Sequence, residues 1–241
     1  HPSQKDMVLA TSNARVAMEI TFRGKTAHAA GAPHDGINAL DAAIQTFNNW
    51  NALRQQLKED VRIHGIITKG GVSPNIIPDY AEIRMYCRAK DMAYLTQVEE
   101  KVRKCAEGAA LATGCKAAFR YTAETYSNMV TNVTLAEAFA KNLTALGRKV
   151  EAPEDKSGGG STDMANVSHE VPAVHAYIAI CKPGEATGRS REFAKAPLTE
   201  AGHKGLTDGA KALAMTAIDI FTDPDLLKAA KEEFRAAFES K

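Results

Sequence analysis

The sequence predicts a mixed α/β (α+β) chain whose first half is a split βαβ, or ferredoxin-like, arrangement. Three observations predict it. Residues 16–23 (VAMEITFR) and 80–88 alternate apolar and polar side chains, as half-buried strands do. Residues 37–53 and 91–112 carry apolar positions at helical spacing, among them Ile37, Leu40, Ile44 and Phe47 in the first and Leu95, Val98, Val102 and Ala106 in the second. These segments and two further strands, at 61–68 and 116–122, follow one another as β-α-β-β-α-β.

Turn chemistry supports each join. Gly24-Lys25 ends the first strand, and a small-residue loop runs over 26–33 before a helix that Asp35 or Gly36 can start. Gly70-Gly71 and Pro74 and Pro78 punctuate the connection between the second and third strands. Asp91 starts the second helix and Gly114 stops it. Beyond residue 125 the texture changes. Helices are predicted over 132–146, 201–221 and 225–239, a short buried strand over 172–180, and a glycine-rich loop (DKSGGGSTD) over 155–163. One strand among helices does not complete a parallel sheet, so its companions are expected upstream of His1. His1-Pro2-Ser3-Gln4 has neither an initiator methionine nor a signal peptide, so the chain reads as part of a longer protein. The expected division is 1–15, 16–125 and 126–241.

Composition removes several function classes. The 241 residues carry 30 basic and 29 acidic side chains, a net charge of +1, which supplies no overall field for nucleic acid or an anionic membrane. No run of 18 apolar residues occurs, so no membrane-spanning helix is expected. Cys87, Cys105, Cys115 and Cys181 fit no paired spacing and read as buried free thiols, which points to a reducing, cytoplasmic setting.

Three stretches carry the chemistry: GKTAHAAGAPHDGINALDA at 24–42, GGVSPNIIPDYAEIRMYCRAKD at 70–91, and SGGGSTDMANVSHEVPAVH at 157–175. Together they resemble the M20 family of metallopeptidases and amidohydrolases, near its aminobenzoyl-glutamate hydrolase and aminoacylase-like branch. The resemblance implies a ferredoxin-like lid that forms a homodimer, plus the C-terminal part of an α/β catalytic domain. It also implies a pair of zinc- or manganese-type ions, with a glutamate base activating water for attack on an amide beside a carboxylate. The small-molecule substrate would be an N-acyl amino acid, a dipeptide or aminobenzoyl-glutamate.

Residue by residue, His28 matches the histidine of G-x-x-A-H-A, whose implied part is donation to the developing oxyanion across the dimer interface. The plainer reading is a loop histidine without a task. Asn75 and Arg88 match substrate-holding residues; alternatively Asn75 shapes a turn and Arg88 is a solvated strand end. Gly159, Gly160, Ser161 and Thr162 would offer backbone N–H groups to an anion. His1-Pro2 matches M-x-H-P, which makes His1 an implied metal ligand. Arg189, however, stands where the element H-S/T-x-E-F has a metal-binding histidine, and a guanidinium has no lone pair to give. His34, His64, His169, His175 and His203 read as structural or surface residues, and Glu99-Glu100 and Glu232-Glu233 as solvated helix faces. The chain alone is therefore expected to be incomplete and inactive, possessing few or no bound metal ions. The alternatives are a non-catalytic partner that binds a carboxylate without metal, and a plain dimerisation module.

Overall fold

The computed structural model describes residues 1–152, 160–186, 188 and 190–239. In chain order its elements are β1 (Pro2–Ser3), β2 (Ala14–Arg23), α1 (Ala39–Leu53), β3 (Arg62–Lys69), β4 (Tyr80–Ala89), α2 (Met92–Thr113), β5 (Lys116–Tyr121), α3 (Val133–Ala145), α4 (Met164–Val167), β6 (Ile178–Ala179), α5 (Arg191–Lys195), α6 (Glu200–Thr222) and α7 (Pro224–Glu239). The chain folds as two units, one of residues 13–128 and one of residues 1–12 with 129–241.

In the 13–128 unit the sheet order is β3-β4-β2-β5, every pair antiparallel, which is the ferredoxin-like order expected from the sequence. Alternation along β2 sends Val16, Met18, Ile20 and Phe22 into the core, each at most 1% exposed. Helices α1 and α2 cover that face. The small residues Ala39, Ala42 and Ala43 of α1 and Ala106 and Ala110 of α2 allow a close approach, and Trp50 fills the space beside them. The Trp50 indole donates to the Val102 carbonyl at 3.2 Å, so its polar edge is satisfied inside the core. Asp91 caps α2 by accepting from the Tyr94 amide at 2.8 Å, and Gly114 ends it at φ 74°.

Helix α1 begins later than the sequence suggests. Ile37 exchanges backbone hydrogen bonds with Lys25, both at 2.9 Å, which holds it extended. The helix starts only after Asn38, whose side chain accepts from the Leu40 and Asp41 amides. Gly24 makes this crossing possible, because a Cβ there would lie 2.0 Å from the Ile37 carbonyl oxygen.

In the other unit β1 and β6 form a two-residue parallel pair, Pro2↔Ile178 and Ser3↔Ala179. The strand expected over 172–180 is confined to Ile178–Ala179, because only those residues find a ladder partner of this kind; Tyr177 makes an isolated antiparallel bridge with Met7. Phe139, Leu143 and Ala136 of α3 pack with Val8, Ile178 and Ala212. Helix α6 lies directly on β6 through Gly205, where a Cβ would meet Ile180 at 2.8 Å. The Glu233 carboxylate of α7 accepts from the Thr134 amide at 2.9 Å and from its hydroxyl at 2.6 Å, capping α3 from a distant element.

A buried ion cluster joins four segments of this unit. The Arg148 guanidinium donates to Asp6 at 3.0 Å, to Asp208 at 2.8 Å and to the Ala179 carbonyl at 3.2 Å. Asp6 also accepts from the Ala179 amide at 2.7 Å, and Lys204 reaches Asp208 at 2.6 Å. The four described cysteines are free; burial, helped by Glu99, pushes the Cys87 thiol up to about 12.

This packing sets two expectations for stability. Trp50→Ala should cost about 3–5 kcal/mol in chemical denaturation of the 13–128 unit, and a loss under about 1 kcal/mol would refute the packing assigned to it. Burial tends to raise the Asp208 carboxyl, but hydrogen bonds from Lys204 and Arg148 outweigh it and hold the group below its usual range. In Glu82 the Thr68 hydroxyl leads in holding the carboxyl low, against burial. Both pKa values are depressed, so the unfolded chain binds these protons more readily. Their stabilisation is complete above the ordinary carboxylate range and is lost as pH falls through it towards the folded values. Melting temperature against pH should therefore drop on acidification, and less steeply in Asp208→Asn; parallel curves would contradict this.

Candidate functional site

The His28 loop is built by backbone pairing. Beyond Gly24 and Lys25 the chain runs beside the segment that precedes β4: Ile77 N–H donates to the Ala27 carbonyl and Ala29 N–H to the Asn75 carbonyl, each at 2.9 Å. His28 and Ile76 thus form an isolated antiparallel bridge. The pairing brings His28 and Asn75, which are 47 positions apart in sequence, to the same end of the sheet. His28 is exposed, and its Nδ1 accepts from the Ala30 amide at 3.2 Å and the Gly31 amide at 3.0 Å. The Ala32 amide donates back to the His28 carbonyl at 3.1 Å and closes the turn. Beside it, the Ser73 hydroxyl donates to Asn75 Oδ1 at 2.5 Å.

Arg88 lies at the other end. It is paired across the sheet with Arg15 on β2 and Arg62 on β3, whereas Tyr80, near Asn75, is paired with Arg23. Tyr80 and Arg88 are eight residue steps apart along β4, roughly 27 Å at about 3.4 Å per step. His28 and Asn75 of one chain therefore share a neighbourhood that Arg88 of the same chain does not reach.

Sequence reasoning treated Arg88 alone and missed its surroundings. Arg15, Arg88 and Arg62 stand in one cross-strand row on the face that the helices leave open. Like charges in such a row repel. Stacking relieves them: the Arg15 guanidinium sits 4.0 Å above the Tyr126 ring centroid and 5.1 Å above that of Tyr86, with Arg88 5.8 Å from the latter. Partial burial, then the charges of Arg88 and Arg54, lowers the His64 pKa. Along the same face Glu19 is 6% exposed, with Arg120 at 2.8 Å and Arg84 at 3.3 Å. A shallow cavity of about 660 Å³ opens there between His64, Tyr86, Arg84, Arg120 and Thr122.

In the other unit the described part of the glycine loop starts at Gly160; Gly159 lies outside the described residues. Ser161 and Thr162 precede the four-residue α4, and the Thr162 hydroxyl accepts from the Met164 amide at 3.3 Å. His1 sits beside His175, ring centroids 5.7 Å apart, and beside Tyr177 at 5.2 Å. His1 Nδ1 lies 2.8 Å from the Pro2 carbonyl oxygen and so carries a proton as donor. His175 stacks on Tyr177, and burial lowers its pKa. No three His, Cys, Asp or Glu side chains among the described residues come together as a metal-binding group. The donor set present therefore does not fit a metal centre by itself. Arg189 lies outside the described residues; beside it, Ser190 caps α5 by accepting from the Phe193 amide at 3.0 Å. No described helix is long and apolar enough to cross a membrane.

Comparison with known proteins bears on both units. A peptidase dimerisation domain of the M20 type matches residues 13–113. The chain is 39% identical over 237 residues to the Xaa-Arg dipeptidase of Mus musculus, covering 98% of this chain and 54% of that protein. It is 38% identical over 237 residues to the Xaa-Arg dipeptidase of Homo sapiens, again covering 98% of this chain and 54% of that protein. The chain thus spans about half the length of these curated relatives. In structure it resembles a hydantoinase/carbamoylase-family amidase from Burkholderia vietnamiensis, with a TM-score of 0.62 and 20% identity over 86% of this chain and 49% of that one; this likeness shows the fold. Residues 13–113 thus match the M20-type peptidase dimerisation domain, and the likeness to the two dipeptidases extends over nearly the whole chain.

Proposed function

We propose that the whole protein is a metal-dependent, cytoplasmic homodimeric amidohydrolase that cleaves an amide bond next to a carboxylate, in a dipeptide, an N-acyl amino acid or aminobenzoyl-glutamate. Its likeness to proteins named Xaa-Arg dipeptidase puts dipeptides first among these. The carrying observation is the placement of His28 with Asn75 at one end of the sheet and Arg88 at the other.

A small substrate cannot bridge that separation, so one site takes His28 and Asn75 from one protomer and Arg88 from its partner. The Arg88 guanidinium suits a bidentate grip on the substrate carboxylate. The Asn75 amide holds a second polar group. The His28 ring donates to the carbonyl oxygen as negative charge gathers on it, an interaction stronger in the transition state than before it. Gly160, Ser161 and Thr162 would offer further backbone N–H groups to an anion, as the sequence implies for Gly159. Zinc or manganese would activate the attacking water in the whole protein. His1 would be one ligand there, with His175 beside it, and the described residues do not complete a set.

The second reading, a dimeric partner that binds a carboxylate without metal, is favoured by Arg189 in the place of a ligand histidine. Metal analysis of the whole protein separates the two: zinc or manganese retained after desalting supports the hydrolase, and none supports the metal-free partner. After incubation with excess zinc or manganese and desalting, this chain should retain well under one equivalent, and two per chain would require a ligand set that the described residues lack. In the whole protein, His28→Ala and Arg88→Ala should each lower kcat/KM by about a hundredfold. Co-expressed, the two variants should regain roughly a quarter of wild-type activity, because half of the dimers are mixed and each has one intact composite site. No recovery would show that a single protomer supplies both residues.

A further inference from the structure

We infer that the backbone of the 30–31 turn is a positioning device that fixes His28 as the Nε2–H tautomer, making it a hydrogen-bond donor and barring it from acting as the general base. The geometry comes from two bonds. Ala30 N–H and Gly31 N–H both point at Nδ1, at 3.2 and 3.0 Å. A backbone amide can only donate, so Nδ1 must offer its lone pair to them. In a neutral imidazole the single proton then resides on Nε2.

The frame that aims the ring is itself held from both sides. Ala27 and Ala29 are tied to Ile77 and Asn75 by backbone hydrogen bonds, and the Ala32 amide returns to the His28 carbonyl. Gly31 lies against the ring, its hypothetical Cβ 3.5 Å from Nδ1, an ordinary contact that leaves room for a methyl group. Both nitrogens therefore have an assigned use: Nδ1 is occupied by the turn, and Nε2 presents an N–H outward. A ring in this state can polarise a carbonyl or hold an oxyanion. It has no free lone pair with which to take a proton from water, so activation of the nucleophile falls to another group. The catalytic consequence rests on the proposed amidohydrolase reading, whereas the tautomer stands on geometry alone.

The two parts are tested separately. Long-range ¹⁵N–¹H spectra of the ¹⁵N-histidine-labelled chain, recorded above the pH at which imidazole titrates, should show His28 with a protonated Nε2 and an unprotonated Nδ1. Uniform labelling should add a scalar coupling through the hydrogen bond from the Gly31 amide nitrogen to Nδ1. The denatured chain and the exposed His34 serve as references. Gly31→Ala keeps the amide and should keep the signature. Gly31→Pro removes the amide and should shift the tautomer ratio towards that of the denatured chain. In the whole enzyme it should lower kcat by roughly ten- to a hundredfold, with KM within about twofold. A His28 signature equal to that of the denatured chain, or one unmoved by Gly31→Pro, overturns the positioning role. A shifted tautomer with kcat unchanged in Gly31→Pro upholds the geometry and overturns the use of His28 in catalysis.

Discussion

The antiparallel register of β2 against β4, ten consecutive pairs from Ala14↔Ala89 to Arg23↔Tyr80, is the constraint on which the 13–128 unit and its candidate site depend. A slip of one residue would turn Val16, Met18, Ile20 and Phe22 out of the core and bring Arg15, Glu19 and Arg23 into it. Burial of those four side chains against α1 and α2 therefore sets the pairing, and the pairing sets the functional geometry. At the Arg23 end the chain must cross under Ile37, which only a glycine at position 24 allows, and this delivers residues 27–29 to residues 75–77. At the Ala14 end the same register lines up Arg15, Arg88 and Arg62.

The open sheet face shows how a nearly neutral chain can carry strong local charge. A net charge of +1 averages over the surface. Strand pairing undoes the average, because side chains in register share a face, and it places three guanidinium groups in one row. Further along the face Glu19 and Glu82 are sunk below the side chains that neutralise them. Stacking on Tyr86 and Tyr126 disperses part of the repulsion that remains.

The second unit relies on different physics. Its sheet is two residues long, so hydrogen bonding along strands contributes little. Cohesion comes from α3 packing with the core around Phe139, from the glycine-permitted seat of α6 on β6, and from Arg148 bridging Asp6 and Asp208. Such a bridge is a specifying interaction: each charge is costly without its partners, so segments 142 residues apart in sequence meet in only one arrangement.

The sequence by itself determined the β-α-β-β-α-β order, the two helices and their stops, and the candidate residues His28, Asn75 and Arg88, because periodicity, caps and motifs are local signals. It placed the start of α1 too early, since the pairing that keeps Ile37 extended is made with Lys25 on another segment. It also showed 172–180 as one strand, although a strand exists only where a partner lies alongside. The meeting of His28 with Asn75, the separation of both from Arg88, the arginine row and the orientation of the imidazole were decided by tertiary structure alone. Each depends on backbone hydrogen bonds that sequence patterns do not specify, most of them between distant residues, and no local pattern encodes which residue will be opposite which.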